Sequence, residues 1–326
     1  LPIIRDIVVI EESFVKSTVI EDETSGQTYG YLRVPSFYRD FENTKNGGTG
    51  RNSTEDTRQA LREFKQQKVD GVILDLRNNG GGALTDAVGV AGLFIEEGPI
   101  VQVRTGDGRT KILDDEEKDV EYSGPVVVLV NQFSASASEI VAGALQDYGR
   151  AVIVGSEHTH GKGTVQVVLG LDRSVMLRSM KKYLPLGALK LTTQKFYRVS
   201  GESTQSRGVV PDIVLPDRRQ FNEFGEKYLD YSLPWDTITA VRHDQWPLNR
   251  VALDRLLARS HERIAKNEDF SEIVRVSKVV ADRLEDTQQS LKISTVYQEW
   301  ETLQDENSPH AAMNGGRADD DSSKEG

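Results

Sequence analysis

Three short apolar runs organise the middle of this chain. They are GVILDLR at 71–77, PVVVLV at 125–130 and AVIVG at 151–155. Each is continuous rather than alternating, the pattern of a strand buried on both faces in a parallel sheet. Between them the spacing turns helical. A helix is predicted from about 54 to 68, with Ala60, Leu61 and Phe64 on one face. Ser53 with Asp56 three residues later forms a capping-box pair at its start. The apolar stretch Ala83–Ile95 predicts a second, buried helix. Ser138-Glu139 opens a third that runs to about Tyr148, where Gly149 ends it. Upstream, IIRDIVVI at 3–10 and TYGYLRVPS at 28–36, closed by Pro35, predict two more strands, and 37–52 a polar, Gly-rich loop. Strand–helix–strand alternation implies an α/β core with right-handed crossovers.

The character changes after Asp217. Residues 218–248 are charged and aromatic without a clear period. Residues 249–285 regain helical spacing through Leu253, Leu256, Leu257, Ile264, Phe270, Ile273, Val280 and Leu284, which predicts a helical appendage. Residues 301–326 end in GGRADDDSSKEG, with almost nothing to bury, and are expected to be disordered.

Composition narrows the chemistry. A length of 326 residues suits two domains, or one with an appendage. Lys and Arg number 40 against 51 Asp and Glu, a net charge of −11, which argues against nucleic acid as a partner. The longest apolar run is about six residues, around Val126–Val130, far short of the roughly 18 that span a bilayer. The absence of cysteine excludes thiolate zinc sites, cysteine nucleophiles and disulfides. The chain opens on Leu1 with no signal-like segment, so it reads as mature, truncated or excised.

Three features follow predicted buried strands, the ends at which open α/β sheets bind ligands. The run Gly80-Gly81-Gly82 bares backbone N–H groups that could hold an oxyanion; it would equally serve as a tight strand-to-helix turn. Ser134, Ser136 and Ser138 sit at the next strand-to-helix turn, where a hydroxyl meets a helix N-terminus; capping is the commoner use of serine there. Lys162 lies between two glycines in HGKGTVQ. Desolvation would lower its pKa and make it a base, whereas in water it is an ordinary loop lysine. The run is not a phosphate-binding GxxxxGK[ST] loop, because Gly163 follows the lysine. His158 and His160 could be half of a metal site, but no third ligand is indicated. No GxSxG elbow is present, and a Ser-His-Asp triad has no support.

Taken together, LDLRNNGGGALTDAV, FSASASEIVAGALQDYGRAVIVG, THGKGTVQ and KFYRVSGESTQSRGVVPDIVLPD resemble the C-terminal processing (tail-specific) serine proteases of family S41. Among these the bacterial periplasmic Prc/Tsp type is the best likeness. The resemblance covers about 1–217, and YSLPWDTI at 231–238 resembles the start of that type's helical C-terminal domain. It implies an α/β, ClpP/crotonase-like core with flanking β elements and a helical C-terminal appendage. The implied division is 1–12 as the last part of a PDZ domain, 13–217 as protease core, 218–300 as partial helical domain and 301–326 as tail. By resemblance Ser136 is the nucleophile, Lys162 the general base and Gln166 the residue that orients it. The amides of Ala137 and of the Gly81/Gly82 turn form the oxyanion hole, and Glu139, Asp147 and Thr159 support activity. The reaction implied is cleavage of proteins with exposed apolar C-terminal tails through an acyl-enzyme, without metal or other cofactor. A periplasmic location, with inner-membrane association as a variant, and a lipoprotein adaptor are further implications. The chemistry is self-consistent: a neutral lysine can take a serine proton without any histidine, and Gln166 orients it without adding a charge that would raise its pKa.

Two departures stand against the family pattern. The segment Gly155–Gly161 is one residue longer than the common version. Only IIRDIVVIEE resembles the PDZ domain that precedes the core, so the chain reads as a C-terminal portion of a longer protease. The chief alternative is a non-catalytic binding module on the same fold, or an inactive fragment; retinoid- and fatty-acid-binding repeats use that fold, and loss of the Ser or Lys would favour it. An acyl-CoA hydratase of crotonase architecture would instead want carboxylates near the glycines.

Overall fold

The computed structural model describes residues 11–41, 50–174, 182–219, 223–246, 250–285, 287–288, 290–298 and 300–301. The strand predicted at 3–10 and nearly all of the tail expected at 301–326 lie outside them. The chain divides into two compact units, residues 1–274 and 275–326.

The elements run β1 (Lys16–Glu21), β2 (Thr28–Arg33), α1 (Ser53–Gln67), β3 (Gly71–Asp75), α2 (Leu84–Gly92), β4 (Gly98–Thr105), β5 (Thr110–Asp115), β6 (Val126–Val130), α3 (Ala137–Asp147), β7 (Val152–Gly155), β8 (Thr164–Gly170), β9 (Ala188–Tyr197), β10 (Ile213–Val214), α4 (Arg250–Lys266) and α5 (Glu268–Glu285). One sheet has the order β1-β2-β3-β6-β7-β10, and a second, four-stranded sheet the order β5-β4-β9-β8. In the first, β2, β3, β6, β7 and β10 are parallel and only β1 is antiparallel. The fold is α/β, as the alternation of elements predicts.

The three continuous apolar runs are β3, β6 and β7, and they are neighbours in the sheet. Leu74, Val128 and Ile153 are fully buried in them. Each such side chain contributes about 1.5–3 kcal/mol relative to exposure. Because the strands are parallel and adjacent, the segments leaving their C-terminal ends emerge at one edge. That places Asn78–Gly82, Asn131–Ser136 and Ser156–Gly163 side by side, which is the whole basis of the site.

Element ends differ from expectation for local reasons. Helix α1 is capped one residue earlier than predicted: Asn52 Oδ1 accepts from the Glu55 amide at 3.0 Å. Asp56 instead accepts from Tyr38 and Arg51, at 2.5 and 2.7 Å. Strand β3 stops at Asp75 rather than 77, because the Asp75 carboxylate takes the Arg77 amide and guanidinium at 2.7–2.9 Å. Helix α2 ends at Gly92 and residues 93–95 turn beyond it, all three buried. Of the segment expected to be helical at 249–285, residues 250–285 form two helices, α4 and α5.

Candidate active site

The first loop is organised by Asn79, a fully buried amide. Its Nδ2 donates to Val34 O at 2.8 Å and its Oδ1 accepts from the Gly81 amide at 2.8 Å. Its carbonyl accepts from Ala135 N at 2.9 Å and Ser138 Oγ at 2.8 Å. One side chain and one peptide group thus pin the glycine turn to the serine turn. Gly81, at φ +104°, needs to be glycine on two counts. L-residues avoid that φ, and a Cβ would lie 2.9 Å from both Ala135 O and Ser136 Cβ.

Ser136 ends the second loop as the N-cap of α3, with φ 56° and ψ −111°. A non-glycine residue there is strained, by roughly 1–3 kcal/mol. The surroundings impose it: Ala135 is tied to Asn79, and the Ser136 amide donates to Glu139 Oε2 at 2.8 Å. The hydroxyl is thereby set at the mouth of the helix. Buried Ser134 braces the turn by donating to Leu76 O at 2.8 Å.

The third loop carries Lys162. Its backbone joins the serine loop through His160 N, which donates to Ser134 O at 3.0 Å. Glu139 joins them a second time. Its fully buried carboxylate accepts from Thr159 Oγ1 at 2.6 Å, Gly161 N at 2.7 Å and Lys162 N at 2.9 Å, besides Ser136 N. Burial raises its pKa to about 7, opposed by the hydrogen bonds from Thr159 and from the three amides. Thr159 Oγ1 in turn accepts from Val209 N at 2.7 Å.

Ser136, Ala137, Lys162 and Gln166 line one cleft of about 220 Å³ with Gly80 and Gly82. Leu84, Ile140, Val165 and Phe196 give it apolar walls. Lys162 is half-buried, and its Nζ donates to Gln166 Oε1 at 3.1 Å. Its pKa is lowered, first by burial and then by the charge of Lys190, which also lines the cleft; Glu226 and Glu139 act in the opposite sense. Gly81 does not line the cleft, since its amide is engaged by Asn79; Gly80 and Gly82 do. Ala137 is the first residue of α3, where an amide has no intrahelical partner.

Asp147 is elsewhere. It closes the far end of α3, roughly 16 Å along the axis from Ser136. There it pairs with Arg198 at 2.5 and 3.0 Å and accepts from Ser200 Oγ at 3.3 Å. His158 and His160 do not converge on a common point: His158 Nδ1 meets Thr159 O at 2.7 Å, while the His160 ring stands edge-on to Phe224. Among the described residues no group of three or more His, Asp or Glu is placed to hold a metal ion. Asn79 lies within the quoted LDLRNNGGGALTDAV segment, yet sequence reasoning gives it no role; its bonds to Val34, Ala135 and Ser138 come from tertiary approach. Lys190 stands outside the quoted motifs and meets the cleft only through the fold.

Comparison with known proteins identifies the family. Residues 28–215 match the model of Peptidase family S41, and residues 219–324 that of the C-terminal domain of tail specific protease. The Tail-specific protease of Haemophilus influenzae is 39% identical over 279 residues, covering 83% of this chain and 36% of that protein. The Carboxy-terminal-processing protease of Bartonella bacilliformis is 35% identical over 239 residues, covering 72% of this chain and 46% of that protein. The solved structure of the photosystem II D1 C-terminal processing protease shares 30% identity, with a TM-score of 0.49 over 62% of this chain and 48% of that one. The chain therefore spans between a third and a half of the length of the curated relatives it matches.

Proposed function

This chain belongs to peptidase family S41, and on that premise we propose that it carries the catalytic centre of a C-terminal processing serine peptidase. Ser136 is the nucleophile and Lys162 the general base. The observation that carries this reading is the joint presence of Ser136 and a half-buried, pKa-lowered Lys162 in one cleft.

As Ser136 Oγ attacks the scissile carbonyl carbon, its proton passes to the neutral Lys162 amine. Gln166 Oε1 holds that amine without adding charge. General-base help of this kind is worth about 10²–10⁴ in rate. The amides of Gly82 and Ala137 stabilise the tetrahedral oxyanion, at roughly 3–4 kcal/mol for each donor. Lys162 then returns the proton to the leaving amine and the C–N bond breaks. Water, deprotonated by the same lysine, hydrolyses the acyl ester and restores the hydroxyl. Substrates are proteins with exposed apolar C-terminal tails, a reading supported by the cleft walls at Leu84, Ile140, Val165 and Phe196. A periplasmic location and a lipoprotein adaptor accompany this proposal.

The test is cleavage of an unfolded protein with an apolar C-terminal tail, comparing the chain with Ser136→Ala and Lys162→Ala. Each variant should lose at least about 10³-fold. Cleavage that survives both substitutions would reject the reading. Inertness of this chain and of a longer polypeptide that includes it would favour the binding module.

A further inference from the structure

The segment Phe224–Glu226 lies within the region matched by the C-terminal-domain model, at 219–324, yet its contacts are with the loops of the cleft. The Phe224 ring packs on Phe133, three residues before Ser136, with centroids 4.3 Å apart. It also meets the His160 ring, two residues before Lys162, perpendicularly, with centroids 5.3 Å apart. Gly225, at φ +123°, allows the chain to pass His160 O closely enough that a Cβ would lie 2.8 Å from it. Glu226 N then donates to His160 O at 2.9 Å. The Glu226 carboxylate accepts from Gln205 Nε2 at 3.2 Å, while Gln205 Oε1 accepts from the Gly163 amide at 2.9 Å. The lysine loop is thereby held on both sides of Lys162, at His160 and at Gly163, and one aromatic ring spans the serine and lysine loops.

We propose that Phe224 and Glu226 are positioning residues for the reaction, through which the start of the C-terminal domain sets Lys162 against Ser136. This rests on the Ser-Lys reading above. Phe224 acts through packing: without its ring, Phe133 and His160 lose their common contact, leaving the backbone bond from His160 N to Ser134 O and the Glu139 bonds among the described residues to tie the two loops. Glu226 acts through charge as well as geometry. The charged groups acting on the Lys162 amine are Lys190 on β9, Glu139 on α3 and Glu226; His160 is electrostatically coupled to the same amine. Lys190 favours the neutral amine and the two carboxylates oppose it. Glu226 is the member of this set that comes from the C-terminal-domain region.

The two roles separate by substitution in the full chain. Phe224→Ala should lower kcat about 10-fold or more with KM within about twofold, because loss of alignment falls on the transition state. Phe224→Leu, which restores most of the volume, should recover much of it. Glu226→Gln keeps the acceptor for Gln205 but removes the charge. It should move the pH midpoint of kcat downward by roughly half a unit, as the amine loses a stabilising anion. A second readout does not need turnover: the pH midpoint of Lys162 labelling by acetic anhydride, read by mass spectrometry, should move the same way. Unchanged kcat in Phe224→Ala together with an unmoved labelling midpoint in Glu226→Gln would overturn the proposal. Activity insensitive to Ser136→Ala would instead remove the Ser-Lys reading, and the labelling midpoint would still decide whether Glu226 acts on Lys162.

Discussion

The backbone amides of Ser136 and Lys162 donate to the same oxygen, Glu139 Oε2, at 2.8 and 2.9 Å. The two residues are 26 apart in sequence and belong to loops leaving β6 and β7. A single buried carboxylate therefore fixes where both main chains run. Only the two side chains are left to find each other across the cleft.

That carboxylate should leave a signature in stability against pH. Its folded pKa, about 7, is raised above the usual value of 4.5 by burial. The folded state therefore holds the proton more tightly. The stability it contributes is fully present below about pH 4.5 and is lost as pH rises through about 7. Urea midpoints of the wild type at pH 5 and pH 8 should show this decline, and Glu139→Gln should flatten it. The same variant should lose at least about 10-fold in kcat, since an NH₂ group cannot accept from the amides it would face. An unchanged slope would show that Glu139 is not the titrating group.

Lys190 offers the opposite electrostatic experiment to Glu226. Its positive charge, after burial, lowers the Lys162 pKa. Lys190→Gln should let Lys162 hold its proton to higher pH, so the rising limb of kcat moves upward. The pH–rate profile checks this, and a shift downward or none would contradict the assignment of the base.

Gly81→Ala tests the packing behind Ser136. The new methyl group would meet Ala135 O and Ser136 Cβ at 2.9 Å, at a φ of +104° that alanine avoids. A destabilisation of about 1–3 kcal/mol is expected, with a fall in kcat larger than stability alone explains. Thermal melts and single-turnover acylation on the same samples would separate the two effects.

Asp147→Asn should behave differently from the cleft variants. It breaks a largely enclosed ion pair whose side chains are 10% and 14% exposed. It leaves Arg198 uncompensated, a loss of about 3–5 kcal/mol. Chemical denaturation should show the loss. Molecules still folded at low temperature should retain most of their acylation rate, because Asp147 does not line the cleft. A selective loss of acylation in folded protein would give Asp147 a more direct part.

The buried parallel strands were legible because β3, β6 and β7 are unbroken apolar runs, and that legibility carried over to the residues at their ends. Ser136, Lys162 and Gln166 stand in compact motifs and come together as those motifs suggest. The sequence pattern does not locate strands β1, β4, β5, β8, β9 and β10. Strand β9 exposes Ala188–Thr193 and buries only Phe196 and Tyr197, whereas β4 is buried continuously from Pro99 to Val103 but has its apolar run broken by Gln102. The pairing of Asn79 with Val34, and of Phe224 with Phe133 and His160, depends on tertiary approach and has no local period to reveal it. The capping of α1 by Asn52 rather than Ser53 was a choice between two good caps. It was decided by Asp56, which is occupied by Tyr38 and Arg51.

Helix α3 bears Ala137 and Glu139 and is capped by Ser136, so the proposed nucleophile, the proposed oxyanion donor and the carboxylate that anchors the Lys162 loop ride on one rigid body. Such a centre cannot be half assembled by small side-chain adjustments. If the helix end shifts, all three functions are misplaced together; if it is seated, all three are in register. Variants that weaken the seating should therefore yield mixed populations, in which some molecules turn over at the full rate and the rest are silent. Titration with an acylating inhibitor would then report a reduced count of competent sites, each working at undiminished speed.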